Sequence, residues 1–351
     1  MQVLESITHA YDRNWFILGK ELEAFEREYA LFSNSTHCIG VGNGLDALFI
    51  ALKACGIGSR DEVIVPSHTF VATWLAVART GAKIVPVEPD PATFNMAVGN
   101  ILPAITGNTR AIIPVHLYGQ SCDMSFVKEA RQREIFVIED NAQSHGATWN
   151  NKITGGLGDL SATSFYPVKN LGAVGDGGAI VTNNDQFAQY ARRYRNYGFE
   201  EKNISNSQGV NSRLDEIQAT VLKIKLRYLQ QWNAERIKLA KRYLEALKDI
   251  PGLQLPATIP NATHVYHLFV IRTSKRDQLR NYLSSKQIET GIHYPVPPHL
   301  QAGFRILGFK KGDFPLAEDI ADTSLSLPLW PGMETQSVEY VCEVVRKFFA
   351  N

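Results

Sequence analysis

The apolar residues in the first two-thirds of the chain form two alternating patterns. Short runs rich in Val and Ile, bounded by Gly, Pro, Asp or Asn, occur at 38–41, 62–66, 83–87, 111–115, 135–139 and 178–182. Continuous apolar runs of this length are typical of strands buried on both faces, as in parallel sheets. Between them, residues 44–56 and 125–134 have apolar positions at helical spacing, with Gly56 as a stop signal and Ser125 as an N-cap. The alternation predicts an α/β fold in which helices cover a parallel or mixed sheet.

The pattern changes near residue 211. Residues 214–250 predict a long helical region that ends at Pro251 and Gly252, followed by a strand at 264–272 and a helix at 276–286. A chain of 351 residues has room for two domains at roughly 100–200 residues each. We therefore expect a large domain with an N-terminal arm over 1–225, and a bridging helix with a small α+β domain over 226–351.

Charge and composition exclude several classes of protein. The 36 basic and 35 acidic side chains give a formal charge of +1, which offers no extended field for nucleic acid or an anionic membrane. No apolar run approaches the roughly 18 residues of a membrane span, and the N-terminal residues lack the basic and apolar regions of a signal peptide. The scattered cysteines favour reduced thiols over disulfides or a zinc site: Cys38, Cys55, Cys122 and Cys342. We expect a cytoplasmic protein without a metal site.

Ligands of open α/β sheets bind beyond the carboxyl ends of the strands, so the residues after each apolar run are the candidates for chemistry. Gly42 and Gly44 follow the first run and precede a helix, where they suit either a phosphate at the helix N-terminus or an ordinary tight turn. Asp140 follows the run at 135–139 and is either a partnered, partly desolvated carboxylate or the N-cap of a helix. The residues alone leave both choices open.

Two more positions have unusual surroundings. Lys169 lies among the apolar residues of 165–171, after a short strand that contains Ser164. A loop lysine is usually solvated, whereas apolar surroundings lower its pKa and favour formation of a Schiff base. Phe70, in the segment 66–74, is either a core aromatic or a ring that covers a flat cofactor. Together these positions offer what pyridoxal phosphate requires: a phosphate site, an Asp at a strand end, a Lys in an apolar loop and an aromatic ring for stacking. The Lys forms the imine with the cofactor, and the Asp keeps the pyridine nitrogen protonated.

At these residues the sequence resembles the DegT/DnrJ/StrS family of sugar-nucleotide aminotransferases, within the fold-type I pyridoxal-phosphate enzymes. The resemblance extends from WFILGKELEAFEREYA (15–30) to SLPLWPGM (326–333). Its specific motifs include GNGLDAL (42–48), PSHTFVAT (66–73), IEDNAQSHGA (138–147), SFYPVKNLGAVGDGGAIVTN (164–183) and HYPVPPHLQ (293–301). It implies a large, mostly parallel seven-stranded sheet domain that binds pyridoxal phosphate, with helices on both faces, and a small C-terminal α+β domain.

The resemblance also implies roles for single residues. Lys169 would form the Schiff base, Asp140 would pair with the pyridine nitrogen, Gln143 would lie beside the phenolic oxygen of the cofactor, and Phe70 would stack on the ring. The implied phosphate-binding residues are Gly44, Leu45, Asp46 and Ser164, with Asn211 reaching the phosphate of the neighbouring subunit. Those implied near the sugar nucleotide are His293, Tyr294, His299 and Tyr166. Leu45 replaces a frequent Thr of the family, which leaves the backbone N–H groups and should weaken binding little. The implied assembly is a homodimer with a shared active site.

The implied reaction moves the amino group of L-glutamate, through the pyridoxamine form of the cofactor, to the 3-keto carbon of a dTDP-3-oxo-6-deoxyhexose. The products are 2-oxoglutarate and a dTDP-3-amino-3,6-dideoxyhexose for glycan or natural-product sugar biosynthesis. The segment HTFVATWLAV (68–77) most resembles the branch that aminates carbon 3. Freed Lys169 would act as general base and then as general acid. Three alternatives remain at this point: amination at carbon 4, a dehydratase or lyase, and a cofactor-binding sensor without catalysis. Lys169 disfavours the dehydratase, because His replaces the lysine in the family's dehydratases.

Overall fold

The computed structural model describes residues 2–201 and 203–350. Within these residues the strands are β1 (His37–Val41), β2 (Glu62–Pro66), β3 (Lys83–Val87), β4 (Thr109–Ile112), β5 (Phe136–Asp140), β6 (Thr148–Trp149), β7 (Lys152–Ile153), β8 (Leu160–Ser164), β9 (Gly178–Thr182), β10 (Phe199–Glu201), β11 (Ile204–Ser205), β12 (Phe269–Arg272) and β13 (Ser324–Leu327). The α-helices are α1 (Gln2–Asp12), α2 (Lys20–Phe32), α3 (Gly44–Ala54), α4 (Val71–Thr80), α5 (Val98–Ile101), α6 (Val127–Gln132), α7 (Asp185–Tyr194), α8 (Glu216–Leu226), α9 (Leu229–Leu247), α10 (Arg276–Ser285), α11 (Pro315–Thr323) and α12 (Thr335–Ala350). Short 3-10 helices lie at Leu102–Ala104, Leu117–Gly119, Pro298–Leu300 and Ala302–Leu307.

Seven strands form the main sheet, in the order β1-β9-β8-β5-β4-β2-β3. Each pair between β8 and β3 is parallel, whereas β9 is antiparallel to both β1 and β8. The runs predicted as strands at 62–66, 83–87 and 178–182 coincide with β2, β3 and β9. The predicted α/β fold with a large, mostly parallel seven-stranded sheet is therefore confirmed.

Helices cover both faces of this sheet. Successive side chains of one strand point to opposite faces, so they pack in two different hydrophobic clusters. Along β2, Val63 and Val65 pack in a cluster with α3, α4 and α7, whereas Ile64 packs with α5 and α6. Along β9, Ile180 joins the first cluster, and Val181 packs with α2 and α8 on the other face. Burial on both sides explains why these strands are continuously apolar.

The helical region predicted at 214–250 is two helices, α8 and α9, which are separated at Arg227 and Tyr228. Leu229, at the start of α9, packs with α2 and α8, whereas Leu239 and Leu247 pack with β12, β13, α10 and α12. Helix α9 thus connects the sheet to a smaller lobe, whose strands β12 and β13 are antiparallel. The division of the chain at residue 225 stays a prediction.

Two local predictions are wrong. Ser125 does not cap a helix, because α6 begins at Val127 and the backbone N–H of Ser125 donates to Asp123 Oδ1 at 2.9 Å. The strand predicted at 264–272 covers only 269–272. Its first residues instead bind the turn at 117–120, where the backbone N–H of Val265 donates to the Gly119 carbonyl at 2.8 Å. This tertiary contact diverts the segment from the strand.

The structure also bears on the excluded classes. Across residues 2–201 and 203–350, no helix is long and apolar enough to cross a membrane. The four cysteines are free thiols, of which Cys55 is half-buried and the others are buried. In the same described ranges, no group of three or more His, Cys, Asp or Glu side chains is placed to hold a metal ion.

Candidate active site

The candidate residues meet at one edge of the main sheet. Strands β1, β2, β5 and β8 are mutually parallel in direction, so their carboxyl ends lie at the same edge. This edge carries Gly44 after β1, Asp140 at the end of β5 and Ser164 at the end of β8. Lys169 lies near enough for its charge to act on Asp140, although 28 residues separate them. The structure therefore brings the two predicted catalytic side chains together.

Asp140 is a buried carboxylate, with 6% of its surface exposed. Its Oδ2 atom accepts a hydrogen bond from the Thr73 hydroxyl at 2.9 Å, and Oδ1 accepts one from the Ala142 N–H at 3.2 Å. Residues 141–147 form turns and no helix, so the helix-cap alternative is wrong. Burial raises the pKa of Asp140, and these hydrogen bonds and the positive charge of Lys169 oppose that rise. A cation beside this carboxylate would stabilise its charged form.

Lys169 lies in a tightly folded loop between β8 and β9. The Phe165 N–H donates to the Gly177 carbonyl and the Ala173 N–H donates to the Phe165 carbonyl, both at 2.8 Å. A Cβ atom on Gly172 would lie 2.3 Å from the Pro167 carbonyl oxygen, so the loop closes only with glycine there.

The Lys169 side chain is partly buried, which excludes the solvated alternative. Burial lowers the pKa of Lys169 from 10.5 to about 8, although the negative charge of Asp140 acts in the opposite direction. Roughly a tenth of its amine is therefore neutral at pH 7 and about half at pH 8, as a nucleophile or a general base must be.

The phosphate site is predicted at the N-terminus of α3. Asn43 caps the helix by accepting the backbone N–H of Asp46 at 2.8 Å, so this N–H already has a partner. The Asp46 carboxylate accepts hydrogen bonds from Ser212 at 2.8 Å and from Arg79 at 2.7 Å. Of the three backbone groups implied by the resemblance, those of Gly44 and Leu45 remain to face a phosphate. We therefore propose that Asp46 orients the cradle and does not line it.

Glycines bring three backbone segments close together at this site. A Cβ atom on Gly44 would lie 2.8 Å from the Ser164 Cβ, and one on Gly178 would lie 2.4 Å from the Asn43 carbonyl carbon. Gly178 begins β9 and pairs with Ser164 across the sheet. This close approach places the Ser164 hydroxyl beside the N-terminus of α3, where helix N–H groups favour an anion.

The opposite side of the site is aromatic. Phe70 is 51% exposed, which excludes the core alternative, and its ring centroid lies 5.3 Å from that of Tyr294. Gln143 connects this pair to the sheet, because its Nε2 atom donates to the Tyr294 hydroxyl at 2.8 Å and its Oε1 accepts the Tyr118 N–H at 2.7 Å. The predicted residues Phe70, Gln143 and Tyr294 are thus neighbours.

The other predicted sugar-site residues are more scattered. His293 bonds through Nδ1 to the Ser326 hydroxyl at 2.8 Å, and burial and the charge of Lys169 lower its pKa. Tyr166 is 51% exposed, three residues before Lys169.

His299 is buried away from this group. Its Nε2 atom pairs with Glu318 on α11 at 3.0 Å, and its ring packs on Phe314. Among the residues that the structure describes, no hydrogen bond or ring contact joins it to Lys169, Asp140 or Gln143. Its role at the sugar site stays a prediction that the geometry does not favour.

Asn211 is exposed, and its backbone bridges to Asn196. The following residue, Ser212, donates to Asp46 and accepts the Gly42 N–H, so this loop runs beside the start of α3. That Asn211 acts in a neighbouring subunit stays a proposal.

Sequence reasoning missed several residues that shape the site. Thr73 binds Asp140, and Tyr118 binds Gln143 through its N–H, His68 through its hydroxyl at 2.8 Å and the His293 carbonyl. The signal that was available is the presence of buried polar side chains in the two segments 66–74 and 114–120. Their partners lie far away in sequence, so no spacing rule identifies them.

Comparison with known proteins decides the family. A model of the DegT/DnrJ/EryC1/StrS aminotransferase family matches residues 2–346. The chain belongs to this family. It is therefore a pyridoxal-phosphate-dependent aminotransferase, as the resemblance implied.

Several curated relatives of this DegT/DnrJ/EryC1/StrS chain are nearly half identical to it. The erythromycin biosynthesis sensory transduction protein EryC1 of Saccharopolyspora erythraea is 46% identical, over 95% of this chain and 91% of the relative. The dTDP-3-amino-3,4,6-trideoxy-alpha-D-glucose transaminase of Streptomyces venezuelae is 45% identical, over 98% and 91%. The dTDP-3-amino-3,6-dideoxy-alpha-D-galactopyranose transaminase of Aneurinibacillus thermoaerophilus is also 45% identical, over 99% and 95%.

A solved structure agrees closely with the fold. The crystal structure of S. venezuelae DesV in complex with a ketimine intermediate matches with a TM-score of 0.97 and 44% identity, and covers 99% of this chain and 94% of that chain. This likeness extends across both lobes and confirms the fold-type I assignment.

The residues present fit the cofactor of the family. Gly44 has no Cβ atom, and this leaves a space beside the Ser164 side chain and the N-terminus of α3 that a Cβ atom would fill. Asp140 is a buried carboxylate that the cationic pyridinium nitrogen would neutralise. The exposed face of Phe70 is free to stack on a flat ring. Gly44, Leu45 and Ser164 would hold the phosphate, Asp140 the ring nitrogen, and Lys169 the aldehyde carbon.

Proposed function

We propose that this aminotransferase moves the amino group of L-glutamate to the 3-keto carbon of a dTDP-linked 3-oxo-6-deoxyhexose. The observation that carries the catalytic part is Lys169, an amine with a lowered pKa beside the buried Asp140. The sugar part is supported by two relatives at 45% identity whose names specify dTDP-3-amino sugars. The product would be a dTDP-3-amino-3,6-dideoxyhexose.

Bound pyridoxal phosphate supplies an electron-accepting ring that stabilises a carbanion on the substrate. Asp140 contributes by keeping a negative charge at the ring nitrogen, because Thr73 and the Ala142 N–H bind its two oxygens. Gln143 is held by Tyr118 and Tyr294, which orients its Nε2 atom toward this aromatic side of the site. The exposed Phe70 ring would cover one face of the bound cofactor ring.

Lys169 is the residue that moves protons. Once its amine is free, it would accept the proton from the alpha carbon of the donor amino acid and then, as an acid, deliver it to the C4′ carbon of the cofactor. The nearby His145 has a pKa lowered to about 3 by its burial and by the charge of Lys169, so it stays neutral at pH 7. His145 is therefore a poor proton carrier at that pH, and the carrier that we propose is Lys169.

The assembly that we propose is a homodimer in which Asn211 of one subunit reaches the phosphate of the other. The exposure of Asn211 and the position of its loop beside α3 support this arrangement. L-Glutamate as the donor is likewise a proposal that rests on the family resemblance. The cytoplasmic location predicted from the sequence also stays a prediction.

The test combines two lysine variants with a substrate panel. The Lys169→Ala variant should lose glutamate-dependent amination of dTDP-linked keto-sugars by several orders of magnitude, because both the covalent anchor and the base are removed. The matched control is Lys152→Ala, since Lys152 is an exposed lysine in β7. Wild-type activity in Lys169→Ala would contradict the catalytic assignment. Turnover of UDP-linked but not dTDP-linked keto-sugars would contradict the assigned nucleotide.

A cofactor-binding sensor is the second candidate function, because one relative at 46% identity has the name of a sensory transduction protein. A sensor that only binds the cofactor would show a visible absorption band that glutamate leaves unchanged. The proposed aminotransferase would lose this band when glutamate is added, since the cofactor is converted to its pyridoxamine form.

Amination at carbon 4 is excluded or established by NMR of the amino-sugar product.

A further inference from the structure

The loop between β8 and β9, which carries Lys169, is attached to a helix that has no part in the reaction described above. Lys225 Nζ, on α8, donates to the Gly172 carbonyl at 2.6 Å. Gln218 Oε1, on the same helix, accepts the Val174 N–H at 2.9 Å. These two side chains are seven residues apart, which is about two helical turns, so they lie on one face of α8. Helix α8 therefore holds two peptide groups of the Lys169 loop.

An apolar contact lies between these two hydrogen bonds. Leu222 is four residues after Gln218 and three before Lys225, so it shares their face of α8. It is fully buried, in the same hydrophobic cluster as Leu171 and Ala173 of the loop. The Lys169 loop thus rests on α8 through an apolar centre with one hydrogen bond on either side.

The hydrogen bond of Lys225 joins a cation to a neutral acceptor. The side chain is half-buried, and this burial lowers the pKa of Lys225. In the described parts of the chain no carboxylate pairs with its amine, which donates instead to the Gly172 carbonyl. A charged donor makes a stronger hydrogen bond than a neutral one, so this bond has a large share in holding the loop.

The peptide group held by Lys225 touches the part of the loop that precedes Lys169. Gly172 packs on Pro167, since a Cβ atom on Gly172 would lie 2.3 Å from the Pro167 carbonyl oxygen. The Lys169 N–H donates to the Tyr166 carbonyl at 2.9 Å, so Pro167 lies in the same turn as Lys169. Displacing the Gly172 carbonyl therefore displaces the turn from which the Lys169 side chain extends.

We propose that Lys225 and Gln218 are positioning residues for Lys169, which hold its loop closed so that the Lys169 amine meets the aldehyde carbon of the cofactor. The proposal rests on the role proposed for Lys169. In this step the amine nitrogen bonds to the aldehyde carbon, and the aldehyde oxygen leaves as water. Because Lys169 is released and must return in each catalytic cycle, the loop positions the amine when no covalent bond holds it.

Two substitutions of Lys225 separate its hydrogen bond from the packing of its side chain. Lys225→Met keeps a long unbranched side chain and removes the N–H donors, whereas Lys225→Arg keeps a cationic donor. The matched control is Lys223→Met, because Lys223 is a partly buried lysine of the same helix that pairs with Glu21 on α2.

The experiment compares two forms of the cofactor on the full-length protein. The visible absorption band that appears when pyridoxal phosphate is added to the cofactor-free protein reports the rate at which the bond to Lys169 forms. Calorimetric titration with pyridoxamine phosphate reports binding without that bond, because this form carries an amine in place of the aldehyde. A contact that only stabilises the fold would affect both measurements, whereas a contact that positions Lys169 affects the first. The experiment requires no sugar nucleotide.

We expect the band to form about tenfold more slowly in Lys225→Met than in the wild type, since one charge-assisted hydrogen bond shifts the balance between the closed and the open loop by at least that factor. The affinity of this variant for pyridoxamine phosphate should remain within about twofold of the wild type. Lys225→Arg and Lys223→Met should form the band within about threefold of the wild-type rate, because the first keeps the donor and the second loses only a partly exposed ion pair. Wild-type band formation in Lys225→Met, or an equal loss of its affinity for pyridoxamine phosphate, would overturn the proposal.

A variant of Gln218 keeps the test independent of the Lys225 substitutions. Gln218→Met has a similar length and removes the acceptor of the Val174 N–H. We expect slower band formation with unchanged affinity for pyridoxamine phosphate, and a wild-type rate would contradict the role assigned to this side chain.

The Lys169→Ala variant distinguishes a failure of this proposal from a failure of the role of Lys169. A wild type that forms no more of the band than Lys169→Ala would overturn the role of Lys169, and this proposal with it. A band that requires Lys169 but forms equally fast in Lys225→Met and Gln218→Met would overturn the positioning role alone.

Discussion

Replacing Gly178 with alanine should weaken cofactor binding although Gly178 touches no predicted reacting group. A Cβ atom at this position would lie 2.4 Å from the carbonyl carbon of Asn43, 2.5 Å from its oxygen and 2.8 Å from the nitrogen of Gly44. Ordinary carbon contacts are about 3.5–4.0 Å, so Gly178→Ala requires the first turn of α3 to move by about 1 Å. All three atoms belong to the backbone, and no side-chain rotation relieves the contact.

Placing the extra methyl group of Gly178→Ala overpacks this site, and overpacking a close-packed interior costs about 1–3 kcal/mol of free energy. If it is relieved by displacing the start of α3, the phosphate site loses its arrangement relative to Ser164. A cost of 1–3 kcal/mol then corresponds to roughly 5-fold to 150-fold weaker binding of pyridoxal phosphate. The assay is titration of the cofactor-free protein with pyridoxal phosphate, followed by its visible absorption.

The matched control is Gly107→Ala, because no atom lies within 4 Å of a Cβ atom built at Gly107. It should bind the cofactor with wild-type affinity. A folded Gly178→Ala variant that binds pyridoxal phosphate as tightly as Gly107→Ala would refute the steric argument and the location of the phosphate site.

Three further predictions concern the charges and the assembly of the site. Asp140→Asn should retain the fold but lower turnover by about 100-fold or more, because a neutral amide does not stabilise a protonated ring nitrogen. Stopped-flow rates of the glutamate half-reaction measure this effect, and unchanged rates would contradict the role of Asp140. The rate of the same half-reaction should increase with pH and level off above a pH of about 8, since Lys169 acts as a base only when its amine is neutral. A rate that does not change from pH 6 to 9 would count against Lys169 as that base. Mixed subunits of the Lys169→Ala and Asn211→Ala variants should recover part of the activity that each lacks, because one site of the mixed dimer has both residues; no recovery in confirmed heterodimers would argue against a shared site.

The sequence predicted those features that depend on local pattern. The bounds of β2 and β9 follow from continuous apolar runs, because each of these strands is buried on both faces. The apolar run of β3 also marks its bounds, although this edge strand is only partly buried. The reversed direction of β9 was not predicted, since it depends on the Lys169 loop, which folds back through the contact between Gly172 and Pro167. The break between α8 and α9 was also missed, because Arg227 and Tyr228 interrupt the helix without a Gly or Pro signal.

The candidate site shows the same limit. Asp140 and Lys169 were found because one ends a strand and the other lies in an apolar loop, and both facts can be read locally. The hydrogen bonds from Lys225 and Gln218 to the Lys169 loop depend on two segments that meet only in the folded chain. His299 stands in a motif of the family, yet it pairs with Glu318 on α11. Sequence identified the chemistry, and tertiary packing determines which side chains serve it.

The most direct test of the proposed function follows the amino group itself. The purified protein is incubated with L-glutamate labelled with nitrogen-15 and a dTDP-3-oxo-6-deoxyhexose, and the sugar product is examined by NMR. We predict that the label appears on carbon 3 of the dTDP-sugar, with one 2-oxoglutarate formed for each amino sugar, and that the Lys169→Ala variant transfers none. Label on carbon 4, or no transfer by a protein whose cofactor is bound, would contradict the proposed reaction.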